Sequence, residues 1–295
     1  MSIKDDFIGL LKDGSLLNRL IVINLAFFIV EKLVQVFLSL ANANEVWDNV
    51  LALSGTVENF LWEPWTLLTF MFLHVDLLHL VFNMLVLYWF GKLFLLFFTQ
   101  KDLVGLYLLG GFFGGLFFIA VTNIFYDYYF EDGTVEIRLI GASASVMAIV
   151  VATAVREPEY RLRLLLFGEV KLAWIAIAYI VLSLLNITSH NGAGELSHLG
   201  GALGGLAFAY FYKKGTNIVG WVGKILDGFS NLLNGSWRGN SSMKVTYNDV
   251  RKQTDYEYNA NKKAHAENVD RILEKIKQSG YDSLTDEERK ELFKR

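Results

Sequence analysis

The chain has 295 residues, 53% hydrophobic and 15% aromatic, and its mean hydropathy of +0.35 excludes an ordinary soluble globular composition. A formal net charge of -3 gives no ground for a nucleic-acid partner. With no cysteine, disulfides, thiol catalysis and thiolate metal sites are excluded as well.

The opening residues, Met1 to Asp6, are polar and do not resemble a cleavable signal peptide. Six apolar segments follow, at about 18–41, 77–99, 103–124, 140–155, 170–188 and 196–212. Each is near the ~20 residues a helix needs to cross ~30 Å of hydrocarbon. Glu31 and Lys32 interrupt the first and are expected to face the bundle interior or a thinned bilayer edge, with no partner legible in the sequence. The 42–76 segment is semi-apolar and carries Trp47, Trp62 and Trp65, which reads as a structured loop at the outer interface. Gly110, Gly111, Gly114 and Gly115 in the third span, and Gly200, Gly201, Gly204 and Gly205 in the sixth, let backbones approach closely; packing is the role expected of Gly201 and Gly205. Residues 1–215 thus form a six-helix membrane domain, and the fold class is all-α.

Beyond Lys214 the chemistry changes. Residues 216–238 place Trp221, Ile225 and Phe229 at helical spacing and read as an amphipathic helix on the inner membrane face. Residues 239–265 read as a linker of disordered composition. Residues 266–295 read as a cytosolic helical hairpin, in which Thr285 and Glu288 form a capping box for a second helix burying Leu292 and Phe293. This tail is a surface for a cytosolic partner or for self-association.

Loop charges set an orientation. The 42–76 segment carries Glu45, Asp48, Glu58, Glu63 and Asp76 and no Lys or Arg, whereas Arg156, Arg161 and Arg163 follow the fourth span, Lys171 opens the fifth, and Lys213 and Lys214 follow the sixth. The positive-inside rule places both termini in the cytoplasm.

In that orientation spans two, four and six run inward from the outer surface, so His79, Asn83, Ser143 and His198 share one depth on three helices. These are the parts of an acyl-transfer site. Ser143 is the expected nucleophile and His198 its general base; Asn83, His79 and the backbone near Gly141 would serve the oxyanion and substrate. No carboxylate is placed to orient His198, so a dyad is the economical reading. His74 and His190 fall in loops and His265 in the tail, where solvated roles are expected. Taken singly, a serine between small residues or a transmembrane histidine has an ordinary packing explanation; the conjunction carries the argument.

At these residues the chain resembles the rhomboid family of intramembrane serine proteases, over about 18–212. Phe72 to Asn83 is similar to the family's second-helix His-x-x-x-Asn motif, on His79 and Asn83. Gly141-Ala-Ser-Ala resembles its Gly-x-Ser-x nucleophile motif and selects Ser143 over Ser145, and the stretch from Ser197 to Gly205 resembles its sixth-helix motif, on His198, Gly201 and Gly205. The chain departs from the family pattern at Ala144, where glycine is usual, at Met147, where an aromatic often packs on the histidine, and at Trp65-Thr66, where a structural arginine is often found. The tail is similar to one carried by some rhomboids of the Bacteroidetes group.

The resemblance implies an intramembrane endopeptidase of the inner (cytoplasmic) membrane. It would act within the lipid bilayer on single-pass membrane proteins with unstable transmembrane helices, without metal or cofactor. The alternative is a catalytically silent rhomboid-like protein that binds or escorts transmembrane helices.

Overall fold

The computed structural model describes residues 15–41, 50–126, 137–164, 168–188 and 192–233, together with parts of 268–288. Contacts divide the chain into two compact units, Met1–Trp237 and Arg238–Arg295.

The first unit opens with α1 (Leu16–Leu40), started by Ser15, whose side chain accepts the Asn18 N–H. The segment after it is structured by short pieces: β1 (Leu53–Ser54), α2 (Val57–Trp62), α3 (Thr66–Thr69) and a 3-10 turn, Phe70–Phe72. Helix α4 (Leu77–Phe94) is capped by Asp76, which accepts the His79 N–H, and α5 (Gln100–Ile124) opens on a capping box of Thr99 and Asp102. Then come β2 (Arg138–Leu139), α6 (Ser143–Arg156), β3 (Arg161–Leu164), β4 (Gly168–Lys171), α7 (Leu172–Leu185), α8 (Gly192–Lys213) and α9 (Gly220–Leu233).

By length and composition α1, α4 and α5 can each cross a membrane, and α6 and α7 are shorter apolar helices. Helix α6 is the axis of the bundle, with every side chain from Ala144 to Ala154 buried. It can be central because α5 and α8 meet it with glycines. A Cβ on Gly201 would lie 2.1 Å from the Ala144 carbonyl oxygen, and one on Gly205 would lie 2.4 Å from that of Ala148. Helix α8 therefore lies backbone to backbone on α6, as small-residue stripes permit. The outward faces are apolar: Phe37, Leu40, Trp89, Ile124 and Leu185 are exposed, and α7 buries only Leu172, Ala176 and Ser183. A belt of this kind suits hydrocarbon surroundings, not water.

Three departures from the sequence expectations have physical reasons. The basic loop after the fourth span is a β-hairpin, with Arg161 opposite Lys171 and Leu164 opposite Gly168. Its period-2 alternation, Arg161-Leu-Arg-Leu164, is a strand signal that charge counting overlooks. The fourth span begins later than drawn, at Ser143, because Gly141 adopts φ +136° and is not helical. Helix α9 packs on the bundle itself. Val219 and Val222 are buried, Val219 sits where a Cβ on Gly105 would come within 2.7 Å, and Lys101 Nζ lies 2.7 Å from the Asp227 carboxylate.

Glu31 also finds its surroundings. It is buried, pairs with Lys32 at 3.3 Å, and accepts the His74 N–H at 3.4 Å, while Lys32 donates to the Val75 carbonyl at 3.0 Å.

In the second unit, residues 271–278 are helical and Ile272 and Leu284 are buried. Thr285 N–H donates to Glu288 Oε2 at 2.9 Å and Glu288 N–H to Thr285 Oγ1 at 3.3 Å, the reciprocal pair of a capping box. Lys275 Nζ adds an ion pair at 2.8 Å, and these partners hold the Glu288 carboxyl at about 2, well below its usual range. Trp47, His190, the side chain of Phe229, residues 239–265, Leu292 and Phe293 lie outside what the structure describes.

Candidate active site

The N-terminal ends of α4, α6 and α8 converge on one cavity of about 530 Å³. His79, Asn83, Ser143 and His198 all line it, with Tyr179 from α7 and Arg138 and Leu139 from β2. The convergence follows from local sequence. The Asp76 cap fixes where α4 begins and hence the outward turn that carries His79. Gly141 breaks the chain just before α6, so that Ser143 is its first residue, with a backbone N–H that has no intrahelical acceptor.

Gly141 is held by its own N–H, which donates to the Phe70 carbonyl at 2.9 Å. A Cβ placed there would lie 3.1 Å from His79 Cε1 and 3.5 Å from Ser143 Oγ. His79 and Ser143 thus both border the space this glycine leaves open. The neighbouring serine is different: Ser145 is fully buried and its hydroxyl has no hydrogen-bond partner among the described residues. Ser143 is the cavity serine.

His79 is oriented from behind. Its Nδ1 accepts the Val75 N–H at 3.4 Å, so the proton of the neutral ring sits on Nε2, the nitrogen nearer Gly141. Asn83 Nδ2 donates to the His79 carbonyl at 3.0 Å, leaving its second N–H for the cavity.

His198 has more company than the sequence suggested. The expectation that no carboxylate orients it is corrected: Glu195 Oε2 lies 3.1 Å from His198 Nδ1, and Ser183 Oγ lies at the same distance. Glu195 and His198 are three residues apart on one helix, a spacing that puts side chains on one face. That signal was available; Ser183, on another helix, had none. Tyr179 packs edge-on against the His198 ring with centroids 5.6 Å apart. It gives the histidine an aromatic neighbour from α7, where Met147, fully buried in α6, does not supply one.

Two further expectations are corrected. His74 is not solvated but fully buried, against His79 at 5.3 Å between ring centroids. Burial, then the charge of His79, lowers its pKa to about 4. Nor is the first loop without an arginine anchor, although it has no arginine of its own. Arg138, remote in sequence, donates to the Ala52 carbonyl at 3.2 Å and to Glu63 Oε2 at 3.1 Å, while its strand pairs with β1. The described residues hold no cluster of metal-ligating side chains.

Comparison with known proteins agrees with this architecture. The Rhomboid domain family matches residues 61–215, just over half of the chain. A family of unknown function, DUF6576, matches residues 252–294. A protein of Arabidopsis thaliana, "RHOMBOID-like protein 12, mitochondrial", is 33% identical over 144 residues, which are 46% of this chain and 43% of that protein. The chain therefore aligns with less than half of that relative's length. With the domain match running from the first loop to the end of the last bundle helix, this chain belongs to the rhomboid family of membrane proteins.

Proposed function

We propose that the chain is an intramembrane serine endopeptidase, with Ser143 as nucleophile and His198 as its base. The observation that carries this reading is that both residues line one cavity together with His79 and Asn83, while Ser145 is buried elsewhere. In this mechanism Ser143 Oγ attacks the scissile carbonyl and His198 Nε2 takes its proton. Negative charge gathers on the carbonyl oxygen, where the Ser143 N–H, the His79 Nε2–H and an Asn83 amide proton stabilise it. The imidazolium then protonates the leaving amine, and water repeats the sequence on the ester.

A site opening among apolar helices suits substrates that themselves cross the bilayer, with helices weak enough to unwind into a cavity of this size. Small residues at the cut suit the space around Gly141. In an inner-membrane protein, the loop charges support both termini lying in the cytoplasm.

The test is labelling of the purified, folded protein by a fluorescent fluorophosphonate, beside Ser143→Ala, Ser145→Ala and His198→Ala. Labelling is expected to persist in Ser145→Ala and to fall by about 10³-fold or more in the other two, as is cleavage of a transmembrane reporter. Equal labelling of native and Ser143→Ala protein would remove the reading. Absence of labelling in folded native protein would favour a silent binder of transmembrane helices.

A further inference from the structure

We infer that Glu195 is a positioning residue that sets the tautomer of His198, so that the proposed pair works as a Ser143–His198–Glu195 triad supported by Ser183. This inference rests on the proposed serine chemistry and adds a residue to it.

The donors and acceptors around His198 select its tautomer. His198 Nδ1 has two neighbours at 3.1 Å, Glu195 Oε2 and Ser183 Oγ. A hydroxyl can either give or receive a proton, so Ser183 alone would allow Nδ1 to be bare and Nε2 to carry the hydrogen. A histidine in that form cannot accept a proton at Nε2. An ionised carboxylate only accepts, so Glu195 requires the hydrogen on Nδ1 and leaves a lone pair on Nε2. With Nδ1 committed to Glu195 and Ser183, Nε2 is the nitrogen left to serve Ser143 across the shared cavity.

The surroundings make this contact more than a surface pair. The side chains of His198 and Glu195 are only 12% and 14% exposed, and Ser183 is 1% exposed. Tyr179 closes over the ring from the same helix as Ser183. Water competes poorly for Nδ1 there, so the carboxylate's choice of tautomer persists. When His198 takes the proton of Ser143, the Nδ1–H already points at a negative charge. The imidazolium forms beside a fixed counter-charge with no movement of the ring, the role that a buried carboxylate plays in soluble triads.

The test compares native protein with Glu195→Gln, which keeps shape but can also donate, and with Glu195→Asp, which keeps the carboxylate. Glu195→Gln is expected to lower the fluorophosphonate labelling rate about tenfold or more, with kcat reduced and KM little changed. Glu195→Asp should recover part of that rate. In parallel, nitrogen NMR of [15N]histidine-labelled protein, assigned with His198→Asn, reads the tautomer whether or not the protein turns over. Native His198 should show Nδ1 protonated and Nε2 bare, and Glu195→Gln should shift the population toward Nε2–H. An unchanged tautomer in Glu195→Gln, or labelling within about twofold of native, would overturn the inference. Failure of the serine reading itself shows separately, as native labelling that does not depend on Ser143.

Discussion

At the scale of single residues, the site depends on one absent side chain and one buried ring. Gly141 adopts φ +136°, a conformation that costs other residues about 1–3 kcal/mol, and a Cβ there would press on His79 at 3.1 Å. Gly141→Ala is therefore expected to cut the Ser143 labelling rate sharply while lowering the melting temperature only modestly. His74 gives a pH dependence. Its folded pKa of about 4 lies below its unfolded 6.5, so the unfolded chain binds more protons between those values. Stability must then rise with pH from about 4 to 6.5 and be lost as pH falls through that window, by at most about 3 kcal/mol. Melting curves across this range should be flatter for His74→Gln than for native protein.

At the scale of elements, β2 joins the first loop to the proposed nucleophile. Leu53 pairs with Leu139 and Ser54 with Arg138, only a few residues before Ser143, and the Arg138 side chain clamps Ala52 and Glu63. Arg138→Met should loosen this clamp and speed limited proteolysis within 50–63, with the helices retained by circular dichroism. The contact of α8 on α6 is stricter. Gly205→Val would drive a side chain into the Ala148 carbonyl and should cost several kcal/mol, or ~3 as an order of magnitude, because helix backbones cannot yield as flexible side chains do. Thermal unfolding in detergent measures it.

At the scale of the whole molecule, the cavity gathers the N-terminal ends of α4, α6 and α8, so the site belongs to one face of the bundle. The proposed orientation, read from the loop charges, puts that face outside. The chain has no cysteine, so single cysteines report topology cleanly. In intact cells a membrane-impermeant maleimide should label Asn186→Cys, between α7 and α8, and spare Lys214→Cys, just after α8. The reverse pattern would invert the assigned orientation.

Much of this protein was legible in the linear chain. Apolar runs of bilayer length mark the spans, because a helix must satisfy its own backbone in hydrocarbon and must be long enough to cross it. Glycine stripes mark close contacts, and rare polar residues within spans point to the candidate site, because each is costly unless used. What the sequence could not supply is pairing between segments far apart in it. Arg138 reaches Glu63, Ser183 and Tyr179 reach His198, and Val219 fills the notch at Gly105. Periodicity and local spacing describe one helix at a time, so they placed Ser143 and His198 at one depth but left their neighbours open. Those neighbours are fixed by which faces meet when α4, α6, α7 and α8 close around the cavity, and packing in three dimensions alone decides that.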